Sequence, residues 1–188
     1  MCGRLNIIDD PLTQAISAVL GITFIPQTNL DLRPSQAVSV IGKTGYTIQQ
    51  LELFWGIKPE WAKQMIINAQ AESIASKPTF RAAYQNHRVV VPCSGWYEWK
   101  GDRGMKQKYL FSASENRSLF MAGIALEDED RLVTLTTSPN PQCCEYHHRM
   151  PLLLSDEHIE LWLHGSEGEA NELLNLEYKQ NLAIHLVT

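Results

Sequence analysis

No stretch of the 188-residue chain approaches the ~18 consecutive apolar residues that a membrane-spanning helix needs, so no membrane partner is expected. The opening Met-Cys-Gly-Arg-Leu-Asn-Ile-Ile-Asp-Asp-Pro has no basic run feeding an apolar one, and no lipobox precedes Cys2. Neither a secretory signal nor a lipid anchor is expected, and the cytoplasm is the expected address. C-x-x-C spacing is missing: the four cysteines are Cys2, Cys93, Cys143 and Cys144, which are expected to be reduced and not to form a zinc ribbon. Positive charge is also scarce. Sixteen Lys and Arg against 21 Asp and Glu give a net charge of −5. That balance excludes a whole-surface field for duplex DNA and leaves nucleic-acid contact only to a local patch or a special lesion. Repeats, low-complexity tracts and linkers are absent, so a single domain over residues 1–188 is expected.

What is present alternates between short strands and turns. Arg4 to Ile8 reads as a strand. Asp9-Asp10-Pro11 supplies a helix N-cap and a first-turn proline, Leu12, Ile16, Val19 and Leu20 form one face, and Gly21 is the stop. Val38–Ile41 and Tyr46–Trp55 read as a hairpin joined at Gly42-Lys-Thr-Gly45. Strands are predicted at 88–92, 96–100, 109–113, 119–126 and 131–137. Turns at Gly101–Gly104, Ser114–Arg117 and Glu127–Asp130 separate them. Ser155-Asp-Glu-His opens a helix, Leu161, Trp162, Leu173 and Leu174 belong to apolar faces, and 182–187 returns as a last strand. The expected fold is α+β, with a mostly antiparallel, barrel-like curled sheet and flanking helices.

Four stretches carry residues capable of chemistry. If Met1 is trimmed, Cys2 bears an α-amine and a thiol on adjacent carbons, both partly reactive near neutrality and facing a cleft. An aldehyde would condense with the amine, and the thiol would close a thiazolidine ring. The same thiol would serve a protease, or would simply pack as a small apolar side chain. Glu98 lies in Trp96-Tyr-Glu-Trp99. Against apolar rings its carboxyl would be desolvated and suited to acid–base work, whereas strand alternation alternatively makes it half of a surface pair with Lys100. His147 suits proton transfer better than metal binding, since adjacent His147 and His148 make awkward ligands. Asn68 either orients a nucleophile or forms a turn, and Arg149 would hold a carboxylate or phosphate. Trp55 reads as core and Trp61 as a stacking face.

In this order the stretches resemble the SRAP family, the SOS-response-associated peptidase-like proteins. The resemblance rests on Met1-Cys-Gly-Arg4, Phe54-Trp-Gly56 with Pro59 and Trp61, Ile67-Asn-Ala69 with Glu72, Phe80-Arg81, Gly95-Trp-Tyr-Glu-Trp99 and His147-x-Arg-Met-Pro151. It implies a monomer that recognises abasic sites in single-stranded DNA and captures the ring-opened sugar as a thiazolidine, without a cofactor or metal. Cys2 would be the nucleophile and Asn68 would orient its amine. Glu98 would be the general acid/base, and His147 would assist proton transfer and reversal. Arg4, Arg81 and Arg149 would contact phosphates, Trp61 would wedge at the lesion, and Thr136 falls near a family pocket threonine. The family commonly has Arg where this chain has Gln70, a DNA-contact position, and Asp where it has His148. The resemblance also implies self-removal of the first residue as a peptidase. Arg33, Arg88, Lys100, Lys106 and Lys108 would add to a basic groove.

Two other readings compete. One is a thiol hydrolase using Cys2 and His147 with Glu98 or Asn68. The other is a binding protein in which a metal or partner occupies the histidines.

Overall fold

The computed structural model describes residues 2–102, 104–114, 117–126 and 130–187. Its elements are β1 (Leu5–Ile7), α1 (Asp9–Leu20), β2 (Asn29–Leu32), β3 (Ala37–Thr44), β4 (Thr47–Trp55), β5 (Asn68–Gln70) and α2 (Pro78–Asn86). Then follow β6 (Arg88–Cys93), β7 (Gly95–Lys100), β8 (Gln107–Ala113), β9 (Leu119–Leu126), β10 (Arg131–Thr137), β11 (Met150–Pro151) and β12 (Leu153–Leu154). Helices α3 (Asp156–His164) and α4 (Glu167–Leu173) precede the last strand, β13 (Leu182–Val187).

The strands form two sheets. A five-stranded sheet has the order β13-β8-β7-β1-β2. In the second, β10 pairs with β4, β4 with β3, β3 with β6, β6 with β9, and β9 again with β10, so the pairing returns on itself. Among the described residues, only the pairings of β10 with β4 and β5 are parallel. The α+β class and barrel-like curl expected from the sequence are thus observed. Val89, Val90, Val91, Met121, Ile124, Leu132 and Leu135 on its strands are all buried, on one face of the ring or the other. Their near-continuous apolar runs are what strands buried on both faces require. No helix among the described residues is long and apolar enough to cross a membrane.

Local details depart from the sequence pattern in places. Helix α1 begins earlier than its proline suggests, with Ile8 as N-cap, while Thr28 Oγ1 accepts from the Asp9 backbone N–H. Gly21 ends it in the left-handed region at φ 66°, as expected. The β3–β4 turn is tighter than Gly42–Gly45: Gly42 lies inside β3, where a Cβ would come within 2.6 Å of Leu51 Cδ1. Strand pairing therefore wins at Gly42 because the missing side chain leaves room for Leu51. The turns expected at 101–104, 114–117 and 127–130 include Arg103, Glu115, Asn116 and Glu127–Glu129, which lie outside the described residues.

Arg88 does not line a basic groove. It is buried, and its guanidinium donates to the carbonyls of Trp162 (2.6 Å), Tyr84 (3.0 Å), Gln85 (3.3 Å) and Gly165. Those acceptors are the otherwise unpaired carbonyls where α2 and α3 end, so one side chain caps two helices. The rings of Tyr84 and Trp162 flank it at 5.8 and 5.9 Å. Arg88→Met removes every donor and leaves buried acceptors unpaired. We expect a loss of about 3–5 kcal/mol in urea unfolding, with no change in the register of β6 on β9.

Candidate functional site

Cys2 is positioned by the strand that follows it. Leu5 pairs with Trp96, and the Tyr97 N–H donates to the Arg4 carbonyl at 3.0 Å. Continuing that antiparallel register brings Gly3 and Cys2 alongside Glu98 and Trp99. Asn68 approaches from the other sheet, where β5 lies parallel to β10 with Asn68 opposite Thr134. The Asn68 amide nitrogen donates to the Cys2 carbonyl at 2.8 Å, and its oxygen accepts from the Thr134 hydroxyl at 2.6 Å. A carbonyl can only accept, so the amide orientation is determined by its partners. Asn68 is therefore a strand residue that holds the first backbone unit of the site, not a turn former. Thr134 was missed in the sequence, although it lies on the same strand face as Thr136, two residues on.

The thiol is not presented to solvent as expected. Cys2 is only 1% exposed, packed as a small apolar group near Cys93. Burial pushes its pKa well above the ordinary value, and the charges of Glu98 and then Cys93 push it further. Burial also raises Cys93 and Cys143 to about 12. The sulfurs are thus neutral thiols in the resting protein.

Glu98 is 3% exposed, and desolvation raises its carboxyl to about 7. The surface Glu–Lys pair is not formed. Lys100 instead sits 3.6 Å from Glu145 Oε2 and 4.7 Å above the Tyr146 ring. An aromatic series on the Glu98 face of β7 and β8 accounts for the packing. Trp96 stacks on Phe111 at 4.9 Å, and Tyr146 meets Phe111 and Tyr109 edge-on at 5.2 and 4.9 Å. These contacts fasten residues 143–149 against that face.

His147 is on this segment. Its Nδ1 lies 3.0 Å from the Arg149 backbone N–H and 3.2 Å from the Arg149 carbonyl, so the same ring nitrogen finds a partner whether or not it carries the proton. Burial foremost lowers its pKa, and its ring stacks on His148 at 4.2 Å. Cys2, Asn68 and Glu98 are brought together by pairing across two sheets, and His147 by packing on the same face.

The proposed DNA contacts are dispersed around this centre. Arg149 is 12% exposed and makes two 2.7 Å hydrogen bonds to the Glu72 carboxylate and one of 2.6 Å to the Thr136 carbonyl. Thr136 is buried, its hydroxyl 3.4 Å from the Ala69 carbonyl, so it supports β5 from below. Gln70 is exposed at the end of β5, paired in register with Thr136. Trp61 is 68% exposed, in contrast to the fully buried Trp55, and Arg81 is exposed on α2. Arg4 is half-buried against Asp31 at 2.7 Å. Among the described residues, no three His, Cys, Asp or Glu side chains converge as metal ligands would.

The chain as a whole is similar to known proteins. The family model described as SOS response associated peptidase (SRAP) matches residues 1–188. The abasic site processing protein YoaM of Bacillus subtilis is 30% identical, over 94% of this chain and 85% of its own. YedK of Escherichia coli, of the same description, is 26% identical, over 79% of this chain and 71% of its own. Among solved structures, a phage-related protein of Bordetella bronchiseptica superposes with a TM-score of 0.83 at 22% identity, covering 99% of this chain and 94% of that one.

Proposed function

Since the chain belongs to the SOS response associated peptidase family, we propose that it processes abasic sites in DNA by covalent capture through Cys2. The relatives named above are abasic site processing proteins. The observation that carries the chemistry is the placing of Cys2, held by Asn68 at 2.8 Å beside a buried carboxyl that titrates near neutrality.

Removal of Met1 frees the Cys2 α-amine. That amine adds to the aldehyde of the ring-opened sugar, giving a carbinolamine. Glu98 in its acid form protonates the departing hydroxyl, which leaves as water, and an iminium remains. The Cys2 sulfur then adds to the iminium carbon and loses its proton to the Glu98 carboxylate, closing a thiazolidine. The sum is aldehyde plus aminothiol giving thiazolidine plus water. Asn68 holds the Cys2 carbonyl, limiting rotation of the adjacent amine. The His147 ring carries a proton for the reverse, ring-opening direction. Arg4, Arg81, Arg149 and the Gln70 position would meet phosphates, and Trp61 would stack at the gap left by the missing base. A single strand is the favoured substrate, because the lesion then reaches the site without the cost of unstacking and unpairing.

The thiol-hydrolase reading is less favoured by the same residues. A cysteine protease needs a thiolate, and burial holds Cys2 neutral. Ring closure asks less of the sulfur, since an iminium is a strong electrophile and a base is adjacent.

The test is incubation with a single-stranded oligonucleotide carrying uracil, together with uracil glycosylase. The expected result is a heat-stable band on a denaturing gel. Its mass should equal protein lacking Met1 plus DNA minus one water. No such band, with cleavage of peptide substrates instead, would exclude capture.

A further inference from the structure

Strand alternation gives the five-stranded sheet a second face, away from Glu98. Trp96, Glu98 and Phe111 are on one side; Tyr97, Trp99, Lys108 and Leu110 are on the other, with Trp99 paired to Lys108 and Tyr97 to Leu110. On that outer face three cations converge on one carboxylate. Asp31 Oδ2 accepts from Arg4 Nη1 at 2.7 Å and from Arg33 Nε and Nη2 at 3.0 and 2.8 Å, and Oδ1 accepts from Lys108 Nζ at 3.1 Å. Three cations against one carboxylate leave two positive charges in excess, on a protein whose net charge is −5.

The cations are held over aromatic rings. Lys108 Nζ is 3.9 Å from the Tyr97 centroid and 5.8 Å from that of Trp99, and the Arg4 guanidinium is 5.9 Å from Trp99. Tyr97 is itself fixed, its hydroxyl donating to the Leu30 carbonyl and accepting from Asn6. The side chains remain reachable: Arg33 is 60% exposed, Lys108 27% and Arg4 26%. Partial burial pushes the Asp31 carboxyl up, but its hydrogen bonds to Arg33, Lys108 and Arg4 hold it down at about 2, so it is a fixed anion at any working pH. Beyond Tyr97 the same face continues into a groove of about 410 Å³ lined by Asn6, Ser94, Leu110, Ser112 and Arg117.

We infer that the Arg4–Arg33–Lys108 cluster organised by Asp31 is a phosphodiester-binding site for the DNA strand running on from the lesion held at Cys2. This rests on the DNA reading above; of the basic-groove residues expected from the sequence it gathers Arg4, Arg33 and Lys108 into one site, and it adds Asp31. Arg4 links the two places, since it is two residues from Cys2. The cluster presents pre-ordered donors, held in place over the Tyr97 and Trp99 rings. Asp31 touches no DNA; its part is to neutralise one of the three cations and so limit the cluster's excess to two charges.

The experiment measures binding of an undamaged single strand, which cannot crosslink, across a salt series. Each phosphate left without its cation should flatten the slope of log K against log salt by ~0.7. Arg33→Gln and Lys108→Met should each do so, and together should weaken binding about tenfold near physiological salt. Asp31→Asn raises the local excess from two charges to three and should steepen the slope. The opposite signs distinguish a charge site from a merely structural one. If Asp31→Asn weakens binding as the cation variants do, or if all leave the slope unchanged while the wild type still crosslinks abasic DNA, the site is excluded. Failure of the wild type to crosslink at all would instead remove the underlying DNA reading.

Discussion

Replacing Cys2 with alanine is expected to abolish the heat-stable adduct with abasic DNA while leaving an adduct that borohydride traps. Alanine is small enough for Met1 to be trimmed, so the variant keeps a terminal amine and still forms an imine. Without sulfur there is no ring closure, and the imine returns to amine and aldehyde on heating. Reduction fixes the C–N bond before that occurs. A chain that keeps an extra residue in front of Cys2 should behave differently. It retains the thiol, but its amine is one residue further on and the Cys2 nitrogen is an amide, so the five-membered ring cannot close and no heat-stable adduct should form. Parallel denaturing gels with and without borohydride read both outcomes. The pair of variants also separates capture from proteolysis, because a thiol hydrolase would need the sulfur and be indifferent to the amine. A heat-stable band persisting in Cys2→Ala would exclude the thiazolidine. Both variants retain the Asn68 hydrogen bond to the residue 2 carbonyl, so loss of anchoring does not confuse the comparison.

The strands of the ring could be read in the sequence because they are runs of apolar residues with one structural solution. Val89–Val91 and Leu119–Ala125 are buried on both faces, and their pattern states this without help from elsewhere. β5 could not be read that way. Asn68-Ala-Gln70 has no strand pattern, and it is extended only because β10, more than sixty residues later, offers it a parallel partner. Helix α2 was hidden for a related reason: only Phe80, Ala83 and Tyr84 are buried among polar residues, and the two-helix cap made by Arg88 holds its end. At the candidate site, Cys2, Asn68, Glu98 and His147 could be proposed from the sequence, and so could desolvation of Glu98 as one of two readings, but the partners that surround them could not. Burial of Cys2 and Glu98 arises from two sheets meeting across the chain's first residues, which no local spacing encodes. The same holds for charge. Asp31 shares a strand with neither Arg4 nor Lys108, so the cluster exists only once β2, β1, β7 and β8 lie side by side.

Glu98→Gln is expected to slow crosslinking by about 10²–10⁴-fold and to remove an inflection near neutral pH from the rate profile. In the wild type, burial raises the carboxyl from an ordinary 4.5 to about 7. Below that value the acid form dominates and speeds loss of water from the carbinolamine; above it the carboxylate dominates and assists ring closure. A group poised between the two serves both steps, which neither an ordinary glutamate nor a glutamine can do. The same shift makes a stability prediction of opposite sign. The unfolded chain releases this proton near 4.5, whereas the native protein keeps it until about 7. Glu98 therefore costs the native state nothing below pH 4.5, lowers its stability progressively as pH rises to about 7, and imposes a constant penalty of up to ~3 kcal/mol above it. Glutamine has nearly the same shape and no charge to desolvate. Glu98→Gln should match the wild type in urea unfolding at pH 4 and exceed it at pH 8. A variant that is more stable at pH 8 and much slower in crosslinking cannot owe its slowness to a damaged fold. If instead the rate profile keeps its inflection near neutrality after the substitution, the proton belongs to another group, and Glu98 is not the acid–base residue.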